Sequence, residues 1–166
     1  MANKTIHGIV RLDKMSGTID GTMLKSVKFE TEIDNGNIVK LGGLLEGERE
    51  IYEATVPTAG TAIKELALIA APEVIADESR RYGLEDYVNP AKTATRAYRF
   101  HSGDIFSVTK ECLTVADIEA VAKGWVAVVG DSTKLTLQAS GSDALGTVID
   151  IETVGNNTFY VIEVNL

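Results

Sequence analysis

The alternation of apolar and polar positions is clearest between Lys25 and Pro57. Val27, Phe29, Thr31 and Ile33 alternate with Lys28, Glu30 and Glu32, the period of two expected of a half-buried strand. Asp34-Asn35-Gly36-Asn37 follows, rich in residues that tolerate positive φ, and predicts a hairpin turn there. Ile38–Leu41 returns, Gly42, Gly43 and Gly47 punctuate, and a strand restarts at Ile51–Val56. The same reading along the chain predicts strands at Thr5–Leu12, Met23–Ile33, Asn37–Leu41, Glu50–Val56, Glu65–Ala71, Arg96–His101 and Asp104–Thr109. Further strands are expected at Trp125–Val129, Lys134–Ala139, Gly146–Val154 and Thr158–Val164. Gly130-Asp131-Ser132 and Gly155-Asn156-Asn157 read as tight turns. In the closing hairpin, Tyr160, Ile162 and Val164 share one face.

One short helix is expected. Thr114 is placed to cap it, Asp117 follows three residues on, Gly124 ends it, and Ile118, Val121 and Ala122 share a face. From Pro72 to Lys92 no period is sustained, so loops are predicted, with one helical turn around Glu73–Arg81. The fold class is therefore mainly β: a small antiparallel β-barrel or sandwich with one short helix, plus an N-terminal β region with extended segments. The expected organisation is an N-terminal β region over 1–71, a loop-rich connector over 72–94 and a C-terminal small β-barrel over 95–166.

A chain of 166 residues buries roughly 70% of the surface its unfolded form exposes, so it needs no staple. Cys112 is the single cysteine, which excludes an internal disulfide and a zinc ribbon. The N-terminus has neither a long apolar core nor a small-residue cleavage site, and no apolar run approaches the ~20 residues of a membrane span. Synthesis in the cytosol and no membrane association are expected. Charge refines the picture. The net charge is −8, and residues 101–166 hold three basic against nine acidic side chains. Phosphate contacts need clustered Lys and Arg, so no nucleic-acid partner is expected.

Candidate chemistry is sparse. Cys112, His101 and Asp104 carry the side chains of a thiol nucleophile, base and orienter. The preferred reading makes Cys112 a small apolar filler and His101-Ser102-Gly103-Asp104 a turn. Glu73, Asp77, Glu78, Glu85 and Asp86 are the densest carboxylates, but they alternate with Arg80 and Arg81. That pattern favours solvated ion pairs or a subunit contact over metal ligation, and the calcium-loop spacing is missing. Gly42, Gly43 and Gly47 lack the Gly-Lys-Ser/Thr of a phosphate loop. Tyr52, Tyr82, Tyr87 and Tyr98 are too scattered for a stacking platform and read as packing or interface anchors. No catalytic, cofactor-binding or metal residues are assigned, no cofactor is expected, and the chain reads as a non-enzyme.

Three blocks in order carry a resemblance: NGNIVKLGGLLEGEREIYEATVP, then APEVIADESRRYGLEDYVNPAKTATRAYRFHSGDIFSVT, then the closing β-hairpin. Together they resemble the capsid decoration (cement, or head-stabilising) proteins of tailed bacteriophages infecting Gram-positive bacteria. Thr114–Ser142 has no distinctive counterpart. The resemblance implies a structural virion protein that binds the outer face of the assembled capsid and stabilises it. It implies the major capsid protein as partner and self-association, with a trimer favoured. It also implies that extended segments within about the first 12 residues act as a capsid-binding arm. The alternatives are a tail-tube or head–tail connector subunit and a carbohydrate-binding β-domain.

Overall fold

The computed structural model describes residues 5–77, 79 and 82–165. It is built of strands joined by loops and single 3₁₀ turns, the expected mainly β class. Each predicted strand has a counterpart. In chain order they are β1 (Val10–Lys14), β2 (Leu24–Lys28), β3 (Ile38–Leu44), β4 (Ile51–Thr55), β5 (Leu66–Ile69), β6 (Thr95–Arg99) and β7 (Ile105–Val108). After these come β8 (Leu113–Thr114), which the sequence reading did not contain, then β9 (Val126–Val129), β10 (Leu135–Gln138), β11 (Ala144–Val154) and β12 (Asn157–Val164). Among the described residues no helix is long and apolar enough to cross a membrane.

Five strands close into a barrel in the order β2-β4-β3-β5-β6, and the other seven form a sheet in the order β1-β7-β12-β11-β9-β10-β8. The barrel interior takes Val27, Ile33, Val39, Ala54, Ala67, Ile69 and Ala97. Three alanines suit a five-stranded barrel, whose interior is too narrow for large side chains from every strand. Strand β5 shows how the two halves join. Ala67 and Ile69 point into the barrel, while Leu66 and Leu68 belong to a second core with Phe106, Val108, Leu145, Val148 and Ile162. Both faces are buried, so the strand reads as an unbroken apolar run. That second core is shared by the barrel's outer wall and the inner face of the sheet, so one continuous packing surface unites them.

The strands do not follow the expected segments 1–71, 72–94 and 95–166. Strand β1 leaves the N-terminal part to pair with β7, and β6 leaves the C-terminal part to close the barrel against β2 and β5. The closed barrel is thus made from residues 24–99, and the C-terminal strands form the sheet. The hairpin expected at Asp34–Asn37 is also absent. Strand β2 ends at Lys28 and pairs with β4 and β6, never with β3. Gly36 does adopt φ +88°, but the strands it lies between, β2 and β3, are both barrel strands that do not pair with each other. The other two hairpins form: residues 130–134 join β9 to β10 as a longer loop than expected, and Gly155-Asn156 joins β11 to β12 as the expected tight turn, with Gly155 at φ +61°.

The predicted Thr114–Gly124 helix is reduced to a 3₁₀ turn at Ile118–Ala120, with Asp117 accepting from the Glu119 amide. Thr114 is withdrawn from capping because it pairs with Thr136 in the sheet. A nine-residue helix is marginal by itself, and sheet pairing outcompetes it. The turn expected around Glu73–Arg81 lies partly outside the described residues, at Glu78, Arg80 and Arg81; the described 3₁₀ turn of this region is at Leu84–Asp86.

Candidate interaction surface

The connector is rooted by two buried asparagines. Asn35 follows Asp34 at the barrel mouth, and Asn89 forms an isolated bridge with Ile33. Asn89 Nδ2 donates to Ile33 O and to Asn35 Oδ1, both at 2.9 Å. Its Oδ1 accepts from Thr95 Oγ1 at 2.7 Å and from the Tyr87 hydroxyl at 3.2 Å. Asn35 continues the chain of bonds. Its Nδ2 donates to Ala71 O at 2.9 Å and Glu73 Oε1 at 3.2 Å, and its Oδ1 accepts from Ala71 N at 3.0 Å. Every polar atom of both amides is paired, the condition under which a buried polar network rigidifies its surroundings. Both ends of the connector, Ala71–Glu73 and Tyr87–Asn89, are fixed to the barrel by these bonds.

Between those roots the connector displays apolar side chains. Val74 is 75% exposed, Leu84 52% and Tyr82 43%, and Ile6 of the N-terminal segment is 56% exposed. The His7 amide donates to Glu85 O at 2.9 Å, and the Tyr82 hydroxyl donates to Ile75 O at 3.0 Å. These bonds hold the N-terminal segment beside the connector and bring its two limbs together. Between connector and barrel lies a groove of about 430 Å³ lined by Ser26, Val74, Tyr87, Asn89 and Arg96. Exposed apolar side chains carried between two fixed roots are the kind of surface feature from which protein interfaces are built.

The N-terminal segment is secured to the body. His7 Nδ1 lies 2.7 Å from Asp34 Oδ1, the Gly8 amide donates to Asp34 Oδ2 at 2.8 Å, and the Ile9 amide donates to Thr109 Oγ1 at 3.1 Å. Val10 begins β1, at one edge of the seven-stranded sheet. Residues 7–12 are therefore bonded to the body, with β1 at a sheet edge; residues 1–4 lie outside the described residues.

The residues weighed for thiol chemistry do not assemble. Cys112 is fully buried beneath two glycines, and its Sγ donates to Asn35 O at 3.1 Å. Burial, reinforced by Asp34 and Glu111, pushes its thiol up to about 12. Asp104 is buried and accepts from the His101 amide at 2.8 Å and from Ser16 N and Oγ at 2.8 and 2.6 Å. It orders two loops and makes no bond to the imidazole, whose Nδ1 lies 2.9 Å from Ser102 O. The native thiol is accordingly expected to react with Ellman's reagent about a thousandfold more slowly at pH 8 than in urea, given its thiolate fraction alone; comparable rates would contradict the burial.

The same shift predicts an alkaline weakness. A folded pKa above the unfolded 9.0 means that the native state holds its proton more tightly. The resulting stability is full below about pH 9 and is lost as pH rises towards 12. Burial raises Tyr87 and Tyr160 as well, in the same sense. Urea midpoints should fall between pH 9 and 11, and less steeply in Cys112→Ala; identical slopes would exclude the Cys112 contribution.

The remaining candidates are dispersed. Tyr98 and Tyr160 are core residues, Tyr52 sits beneath Lys25 Nζ at 5.3 Å, and Trp125 packs partly buried against the core. Of the acidic cluster, Glu73 is bound into the Asn35 network and Asp86 accepts from the Gly83 amide at 2.8 Å. Glu78 and its neighbours Arg80 and Arg81 lie outside the described residues. Among the described residues no three His, Cys, Asp or Glu side chains are grouped to hold a metal ion. No family model matches the chain, and comparisons with characterised proteins and with solved structures find no match.

Proposed function

We propose that this chain is a non-enzymatic structural virion protein that binds the outer surface of an assembled tailed-phage capsid and stabilises it. The observation that carries the reading is the rooted connector with its exposed Val74, Tyr82 and Leu84. It falls within the second of the three blocks that resemble decoration proteins of phages infecting Gram-positive bacteria. A β-body with a continuous core is a rigid platform, and two fixed roots spare the connector much of the ordering cost of association. The partners are the major capsid protein and further copies of this chain, with a trimer as the favoured assembly. Repeated sites on a shell add avidity, so each copy needs only modest affinity.

The connector face is tested by Val74→Asp combined with Leu84→Asp. Both positions are exposed, so the fold should change by less than about 0.5 kcal/mol. Affinity for undecorated capsids, read by co-sedimentation, should fall at least about tenfold. Val154→Asp, at a valine on the β11–β12 hairpin as exposed as Leu84 (52%), should bind like wild type. Undiminished binding by the double variant would remove the connector from the interface.

A further inference from the structure

Strand β1 ends the seven-stranded sheet and pairs only with β7. The Thr109 amide donates to Ile9 O at 3.1 Å, so Ile9 turns its backbone groups towards β7. Val10 then lies opposite Val108, and Arg11 opposite Ser107. Backbone groups alternate sides along an antiparallel ladder, so Arg11 again faces β7. The Val10 N–H and C=O and the Leu12 N–H point the other way, to the open edge. The register slips between Arg11 and Lys14, and that bulge limits the regular edge to the stretch before Asp13.

A groove of about 300 Å³ runs beside this edge. Val10 and Leu12 border it on the sheet side, and Ala70, Pro72, Arg96 and Tyr98 on the barrel side. Both β1 side chains turn to the core, yet Leu12 is only half-buried, because among the described residues no further strand continues the sheet past β1. A residue set opposite Val10 on an added strand would carry its side chain on the same face as Val10, into this groove. The open row of backbone groups defines the occupant, since an extended peptide matches its spacing. Arg96 is exposed and lines both this groove and the connector groove, which favours a carboxylate in the docking segment; Glu73 beside it is engaged by Asn35 Nδ2 at 3.2 Å. Ala71 and Pro72 are also common to both grooves, so edge and connector form one continuous surface. Three edge groups are too few for an interface by themselves, and that continuity assigns the occupant to the partner of the connector face.

We propose that β1 accepts an extended, carboxylate-bearing segment of the major capsid protein as an eighth strand of the sheet, with an apolar side chain of that segment seated in the groove. Naming the partner rests on the decoration reading. The N-terminal strand here receives a segment and does not reach out as an arm.

The test is hydrogen exchange of the protein, read residue by residue, free and bound to undecorated mature capsids. The Arg11 amide, turned to β7, should exchange slowly in both states. The Val10 and Leu12 amides should exchange readily in the free protein and at least about tenfold more slowly on the capsid. Val10→Pro removes an edge N–H without touching a bond to β7, and Leu12→Lys sets a charge beside the groove. Each should weaken co-sedimentation about tenfold and keep the wild-type exchange pattern of β11 and β12, which reports that it is folded. Pelleting without slowing at Val10 and Leu12, or wild-type binding by either folded variant, would overturn the strand addition and leave the decoration reading standing. No pelleting would overturn both. Slowing that grows with protein concentration in the absence of capsids would assign the edge to a second copy and overturn the capsid segment.

Discussion

Asn89→Leu is expected to lower the unfolding free energy by about 3 kcal/mol, the combined loss of four side-chain hydrogen bonds. Leucine has the branched skeleton of asparagine but is bulkier, so some overpacking at this enclosed site adds to the lost bonds. Thr95 Oγ1 loses its acceptor inside the protein, and Asn35 Oδ1 loses one of its two donors. Ile33 O keeps the Asn89 backbone amide at 3.0 Å, which limits the damage there. The bridge that holds Tyr87–Asn89 to the barrel is weakened at the same time. On the decoration reading, capsid affinity should therefore fall further than stability alone explains, because the connector becomes less ordered before binding. Asn35→Leu should cost a similar amount, and the double variant less than the sum, since both act in one network. Urea denaturation measures all three, and a loss below about 1 kcal/mol for Asn89→Leu would mean that the network does not hold the connector.

Gly8→Ala carries the second large effect, about 2–3 kcal/mol of destabilisation from overpacking. A Cβ at Gly8 would stand 2.2 Å from Cys112 Sγ and 2.9 Å from Asn35 O. The first clash disappears in a Cys112→Ala background and the second remains. The double variant should thus recover about half of the Gly8→Ala loss, giving a coupling energy of about 1 kcal/mol. Strict additivity would show that the thiol does not press on the N-terminal segment. Gly36 supports the same geometry: its φ of +88° favours glycine, and a Cβ there would meet Cys112 Sγ at 2.6 Å. The sole cysteine is a packing element beneath two glycines, which is why its thiol is both buried and inert.

Local patterns in the chain were enough to find the strands and the two C-terminal turns. Period-two alternation and turn residues act over a few positions, and nothing distant overrides them in β11 and β12. Partner choice was not legible in the same way. Asp34-Asn35-Gly36-Asn37 has hairpin chemistry, yet Asn35 is drawn into a buried network with Asn89, 54 residues away. The short-range turn signal and the long-range role use the same side chain, and only the fold separates them. Likewise Thr114 has capping chemistry but pairs with Thr136 instead, and β1 and β6 cross the expected boundary because strand pairing ignores sequence distance. The candidate interaction surface was half visible: the irregular connector stood out as a break in pattern. The exposure of Val74 and Leu84 did not, since an isolated apolar residue in a loop is as easily buried as displayed.

The decoration account is tested most directly by adding the purified protein to undecorated mature capsids and imaging them by electron cryomicroscopy. The account predicts saturable density at symmetry-related positions on the outer shell, with the connector side of the barrel towards the capsid. A bare shell, with rings or tubes of the protein alone beside it, would contradict the account and favour a tail or connector subunit.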